Sequence, residues 1–174
     1  MKRSVIALAL ILGGAIVLVG QGAGESKLQA QLKRLFPAAT TFSPKEGDPP
    51  HFKAYVNDVK GQPAVVGFVF WTTELEPLER GYDGPIKMLV GMDTRGVLAG
   101  IVVMEHHEPY GSFSVEPAAF AAQFTAKSIR DPFKVGVDVD AVSRATISIT
   151  SAARAIKNSS RRVARQLLSP EAVK

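Results

Sequence analysis

Four hydroxyl side chains fall within six positions late in the chain: Thr146, Ser148, Thr150 and Ser151. They stand directly before a segment with helical periodicity, residues 151–168. In it Ala152, Ile156, Val163 and Leu167 share one face and the arginines lie largely on the other. A helix start presents unpaired N–H groups and a partial positive charge, so hydroxyls placed there either cap the helix or join a phosphate site. The plain alternative is that Thr150 or Ser151 is an N-cap and nothing more, in which case Ser151→Ala costs about 1 kcal/mol.

Other chemistry has less support. His106 and His107 are adjacent, between Glu105 and Glu108, but neighbours in an extended segment point to opposite faces, and the remaining histidine is His51. A shared metal would need ligands from elsewhere. The carboxylate pairs Glu74/Glu76 and Asp138/Asp140 have the spacing of an exposed edge, and no Gly-x-Ser-x-Gly elbow sets up a serine nucleophile. With no cysteine, thiolate metal sites, disulfides and a cysteine nucleophile are excluded. There is no Gly-x-Gly-x-x-Gly or Walker loop. The formal net charge of +5 gathers at the N-terminus and in Arg154, Lys157, Arg161, Arg162 and Arg165, without the motifs of a nucleic-acid binder. The arginine group reads as a solvated helix face that can also meet anionic lipid headgroups or an acidic redox partner.

The run Asp140-x-x-Ser143-x-Ala145-Thr146 resembles the flavinylation motif of the FMN-binding domain family, Asp-x-x-Ser/Thr-Gly-Ala-Thr, found in RnfG- and NqrC-like redox-pump subunits and in NosR/NirI-type membrane flavoproteins. Further fragments are similar to the NosR/NirI version and come in its order. They are Leu35-Phe36-Pro37, residues 66–70, Gly81-Tyr82-Asp83-Gly84-Pro85-Ile86-Lys87, Val90-Gly91-Met92-Asp93 and Glu105-His106-His107-Glu108-Pro109. The resemblance implies that Thr146 accepts FMN through a phosphodiester bond installed by a separate flavin transferase. Asp140, Ser143 and Ala145 would complete the recognition motif. It also implies cofactor contact at Arg144 and Ser148, with Tyr82, His107 and Glu108 at the edge of the site. Tyr82 and Phe113 could stack on an isoalloxazine ring, whereas Trp71 and Phe124 read as core. The sequence departs from the motif at Arg144, where the family has Gly. Gly allows left-handed backbone angles that Arg adopts only at a cost, and a guanidinium is a bidentate partner for phosphate. The rival to an electron carrier is a flavin-free binding or regulatory module whose motif has degenerated.

These residues need a scaffold. Residues 25–36 read as a helix with Leu28, Leu32 and Leu35 on one face, ended by Pro37, and residues 38–50 as loop. Strands are expected at 52–56, 64–72, 86–92 and 97–105, the last two joined by the hairpin turn Asp93-Thr94-Arg95-Gly96. A helix is expected at 116–124 with Pro117 in its first turn, and a loop with a short strand at 129–139. A hydrophobic fraction of 46% against 21% charged residues argues against long disorder, and 174 residues suit one domain. The fold expected is α+β, a single domain (residues 25–174) with an antiparallel sheet and flanking helices. Residues 1–24 precede it: Lys2 and Arg3, an apolar run from Val5 to Val19, and a small-residue exit at Gly22-Ala23-Gly24. This pattern is that of a signal peptide or a membrane anchor, and the charge order puts the domain outside the cytoplasm, in the periplasm. The expected partners are a flavin transferase, extracytoplasmic or membrane redox proteins and, through the N-terminal segment, the membrane, with no nucleic acid.

Overall fold

The computed structural model describes residues 23–170, so the apolar run from Val5 to Val19 lies outside the described residues. Five strands form one antiparallel sheet in the order β1-β2-β3-β4-β5: Thr41–Phe42, Phe52–Asn57, Pro63–Trp71, Lys87–Asp93 and Leu98–Glu105. Every neighbour in the sheet is also the neighbour in sequence, so the strands form an up-and-down meander. Gly96, at φ +79, closes the turn between β4 and β5, and the Asp93 carboxylate accepts the N–H groups of Arg95 and Val97 there.

Successive strand residues point to opposite faces, and both faces are apolar. Phe68, Phe70, Met88, Val90, Met92 and Ile101 face one way, where they form the main core with Ile149, Ala152, Ile156 and Val163 of the long helix α4 (Thr146–Leu167). Val69, Trp71, Leu89 and Val102 face the other way, against Leu32 and Leu35 of α1 (Ala23–Leu35). The sheet is therefore the middle layer between two helices, and Trp71 and Phe124 are core residues as expected. Among the described residues no helix is long and apolar enough to cross a membrane.

The elements differ from expectation in five places. A two-residue strand, β1, lies within the expected loop 38–50, and a short helix α2 (Thr72–Leu75) follows β3 directly. The helix α3 is only Ala118–Ala122, with Pro117 as its N-cap rather than in its first turn. Residues 129–139 contain no strand, only an isolated bridge between Val135 and Val139. The largest change is that α4 begins five residues early, at Thr146. Ser151 is consequently a buried residue inside the helix and not its cap, which removes the reason for the loss expected of Ser151→Ala.

Asp138 explains why the 129–139 segment loops back. Its carboxylate accepts the N–H groups of Phe133 at 3.0 Å and Lys134 at 2.6 Å and the ammonium of Lys127 at 2.9 Å. Phe133 sits at φ 51, and the hydrogen bond from its N–H helps hold that left-handed residue in place. Burial by itself would raise the Asp138 carboxyl, but the Lys127 ammonium and the two backbone N–H groups outweigh it and hold the group below the ordinary carboxylate range. A group depressed on folding contributes stability above its unfolded pKa of about 3.9 and loses it as pH falls through the folded value. The wild-type chain should therefore lose stability below about pH 4 by a component absent from Asp138→Asn, as read by urea midpoints taken from about pH 5 to pH 2. Parallel curves for the two proteins would remove Asp138 from the acid transition.

Candidate functional site

The first turn of α4 carries the hydroxyls, and it has no side-chain cap. Its N-cap is the buried Ala145 (φ −124, ψ 16), whose carbonyl accepts the first helical bond from Ile149. The N–H groups of Thr146, Ile147 and Ser148 therefore point out of the positive end of a 22-residue helix. Thr146 is the first helical residue and is exposed.

Arg144 lies one residue before the cap, at φ 69. The chain thus keeps the left-handed angle that the motif's Gly would supply, with a residue that pays strain for it. That conformation costs a non-glycine residue roughly 1–2 kcal/mol, partly offset by the extra unfolded-state entropy of Gly. Arg144→Gly should raise stability by about 0.5–1 kcal/mol, measured as a later urea midpoint at unchanged slope; an earlier midpoint would mean the guanidinium makes a contact worth more than the strain.

Two clefts meet at Thr146. One, of about 310 Å³, is walled by Tyr82, Tyr110, Arg144, Ile147 and Ser148. The other, of about 630 Å³, runs between residues 132–135 and α4 and is lined by Lys134, Thr150, Arg154 and Lys157. The first cleft concentrates the exposed apolar surface. Of eight exposed large hydrophobic residues among those described, Tyr82, Tyr110 and Ile147 line it, and Phe113 packs on Tyr110 with ring centroids 5.3 Å apart. Aromatic side chains left in water around one cavity mark a surface that takes a flat partner.

Behind the cleft sits Glu108, only 6% exposed. Its carboxylate accepts the N–H groups of Tyr82 at 3.0 Å and Asp83 at 3.1 Å and the hydroxyl of Ser148. Three parts of the chain converge on it: the loop after α2, the loop after β5 and the start of α4. Gly81 permits the approach, because a Cβ there would collide with Glu108 Oε1. The loop after β5 is itself pinned by His106. Its Nδ1 accepts the Glu108 N–H at 3.1 Å and its Nε2 lies 3.1 Å from Glu116, an arrangement that suits the tautomer protonated at Nε2.

The residues expected at the site divide accordingly. Thr146, Arg144, Ser148 and Tyr82 meet at the cleft, Ala145 sets the helix start, and Glu108 holds the wall from behind. Asp140 and Ser143 are exposed on the segment leading to the helix, where the Asp140 N–H donates to Gln123 Oε1 at 2.6 Å. His107 is exposed and outside the cleft walls; it is its neighbour His106 that is built into the site's support. Tyr110, Ile147, Lys134 and Lys157 were not expected at the site. An exposed tyrosine or lysine looks like any surface residue until the fold gathers several at one opening.

An uncapped helix end for a phosphate, an exposed hydroxyl beside it and an aromatic cleft for a planar ring fit a flavin nucleotide. Comparison with known proteins agrees. Residues 81–160, from the Gly81 loop through most of α4, match the model of the FMN-binding domain family, and this match supports FMN as the cofactor. Over 158 residues the chain is 29% identical to the Regulatory protein NosR of Pseudomonas aeruginosa, covering 84% of this chain and 21% of that protein. To the Regulatory protein NosR of Stutzerimonas stutzeri it is 27% identical over 131 residues, 70% of this chain and 17% of that protein. The chain thus spans about a fifth of the length of the curated relatives it matches.

Proposed function

We propose that this protein is an exported or membrane-anchored electron carrier whose FMN is bonded through its phosphate to Thr146. The observation that carries the reading is the placement of the Thr146 hydroxyl, exposed at the uncapped start of α4 and at the junction of the two clefts. Bound FMN supplies one- and two-electron redox chemistry, and the protein's part is attachment, orientation and electrostatics.

Each part has residues to perform it. Thr146 offers the ester oxygen, and the first-turn N–H groups and the helix dipole offset the phosphate charge. Arg144 lines the smaller cleft and Lys157 the larger one, and both add to the positive field there. Tyr82 and Tyr110 give the ring its walls, and Glu108 fixes Tyr82 by its backbone. No side chain need act as an acid, base or nucleophile in electron transfer. A covalent bond suits a domain outside the cytoplasm, where a dissociated cofactor is hard to replace; the charge order at Lys2 and Arg3 supports that location.

The test is to express the full chain with an exported flavin transferase and to record the intact mass and the flavin fluorescence of the denatured protein. Retained fluorescence and a mass increment of one FMN less one water support the reading, and the same spectrum reports whether the N-terminal segment is cleaved. Flavin lost on denaturation would reduce the proposal to noncovalent binding. A protein without flavin before and after would return it to the flavin-free module. In the same assay Arg144→Gly should raise the flavinylated fraction by restoring the family's motif, and a lower fraction would show that the guanidinium assists attachment.

A further inference from the structure

The exposed face of α4 carries more positive charge than the flavin site uses. Thr146, Thr150, Arg154, Lys157, Arg161 and Arg165 recur at spacings of three and four. At 3.6 residues per turn they fall within a sector of about 100° on the helix surface. One end of that stripe is Thr146 and the other is Arg165, roughly 28 Å away along the axis. Segment 129–135 runs beside it, with Lys134 sharing a cleft with Arg154 and Lys157, and Arg130 sharing one with Arg161 and Arg165.

Among the described residues, three of the four cations of the α4 stripe form no ion pair. Arg154 is paired with Glu79 at 2.6 Å. Arg161, in contrast, donates to the neutral carbonyls of Ile129 at 2.7 Å and Asp131 at 3.1 Å, so it keeps its charge while being held in place. Among the described residues no carboxylate forms an ion pair with Lys134, Lys157, Arg161 or Arg165; of the nearby acids, Asp138 is paired with Lys127 and Asp131 accepts the Ser128 N–H at 2.9 Å. Helix-dipole stabilisation accounts for Arg165, in the last turn, but not for Lys157, at mid-helix, or for Lys134, which lines the cleft that reaches Thr146 at the helix's positive end.

We propose that this cationic face is the docking surface for an acidic electron-transfer protein, which α4 guides to the cleft at Thr146. The role given to the partner rests on the flavin reading above; the docking itself does not. Opposed charge raises the encounter rate and fixes orientation, and a stripe that ends at the redox site brings the bound partner toward the flavin. A membrane surface fits less well. A helix that lies in the lipid interface buries an apolar face there, and the apolar face of α4 is already packed into the core.

The test uses the full-length chain and fluorescently labelled flavodoxin, a small acidic redox protein, with binding read by anisotropy. Lys157→Glu/Arg165→Glu should weaken binding at about 20 mM salt by roughly tenfold or more, and the difference from wild type should shrink at about 300 mM. Lys157→Gln/Arg165→Gln should fall between, which guards against a charge-reversed variant that folds poorly. Lys60→Glu, in the β2–β3 turn far along the chain from α4, should bind as wild type does. With flavin-loaded protein reduced beforehand by dithionite, stopped-flow electron transfer to oxidised flavodoxin should slow in the same order. Wild-type binding by the double reversal, or an equal loss in Lys60→Glu, overturns the proposal. So does binding to phosphatidylserine vesicles without binding to flavodoxin, which assigns the face to a membrane. Anisotropy needs no flavin, so a colourless chain that still binds separates failure of the cofactor reading from failure of the docking surface.

Discussion

Thr146→Ala, produced beside a flavin transferase, should carry no covalent flavin, while Thr146→Ser should still be modified. The expectation follows from what each substitution removes. Thr146 is exposed as the first residue of α4, and no hydrogen bond from its side chain supports the fold. Alanine has the best helix propensity and substitutes there with a stability change of at most a few tenths of a kcal/mol. The scaffold, the clefts and the first-turn N–H groups remain, and only the ester oxygen is gone. Serine restores that oxygen at the same backbone position. Noncovalent FMN should still bind the alanine variant, because the N–H groups, Arg144 and the tyrosine walls do not depend on the hydroxyl. Intact-mass spectra of the three proteins decide the matter. An unchanged flavin increment in Thr146→Ala would move the attachment to another hydroxyl, Ser148 and Ser143 being nearest in sequence.

How much of this was legible beforehand differs from element to element for physical reasons. The central strands are dense in β-branched and aromatic residues, as in Val65-Val66-Gly67-Phe68-Val69-Phe70-Trp71, and no helix would bury that pattern as well. The α1 face and the β4–β5 hairpin were equally plain, since each rests on contacts a few residues apart. The start of α4 was misplaced because Thr146, Ser148, Thr150 and Ser151 are all good caps, and local preference cannot choose among them. Long-range burial chooses: Ile149 and Ser148 have to face the core and Glu108, which pulls the helix back to Thr146. The same limit hid the role of Glu108. It was expected at the edge of the site, but its partners are 25, 26 and 40 residues away, and two of them are backbone N–H groups that carry no residue-type signal. The strand expected in 129–139 failed because Asp138 offers that backbone a nearer set of hydrogen bonds than the sheet does. Arg144 gives the converse case. Its departure from the motif put a cost on the left-handed backbone, yet φ 69 shows that the turn is held by its surroundings and not by the residue placed in it.

The second large effect is expected at that buried carboxylate. Glu108→Ala leaves the N–H groups of Tyr82 and Asp83 and the hydroxyl of Ser148 without their acceptor, in a place where the carboxylate had excluded water. Each unsatisfied buried donor costs about 1–3 kcal/mol, and partial relaxation of the exposed Tyr82–Asp83 loop recovers some of it. The sum expected is about 3 kcal/mol, or a fall in melting temperature of roughly 10 °C for a domain of this size. Glu108→Gln keeps one oxygen but turns an NH2 group toward donors, so it should rescue less than half of the loss. Ser148→Ala, by contrast, removes a donor while the carboxylate keeps its two backbone partners, and should cost about 1 kcal/mol. Because Ser148 and Glu108 share one bond, the double variant should be less destabilised than the two single losses added together. Thermal melts of the four proteins measure this directly, and a Glu108→Ala chain melting within a degree or two of wild type would show that the loop and the helix are held together by packing alone. The loss should also reach the cofactor. With Glu108 gone no hydrogen bond among the described residues ties the Tyr82 backbone to the start of α4, the wall of the cleft loosens, and noncovalent FMN affinity should fall in Glu108→Ala even at temperatures where the domain is fully folded.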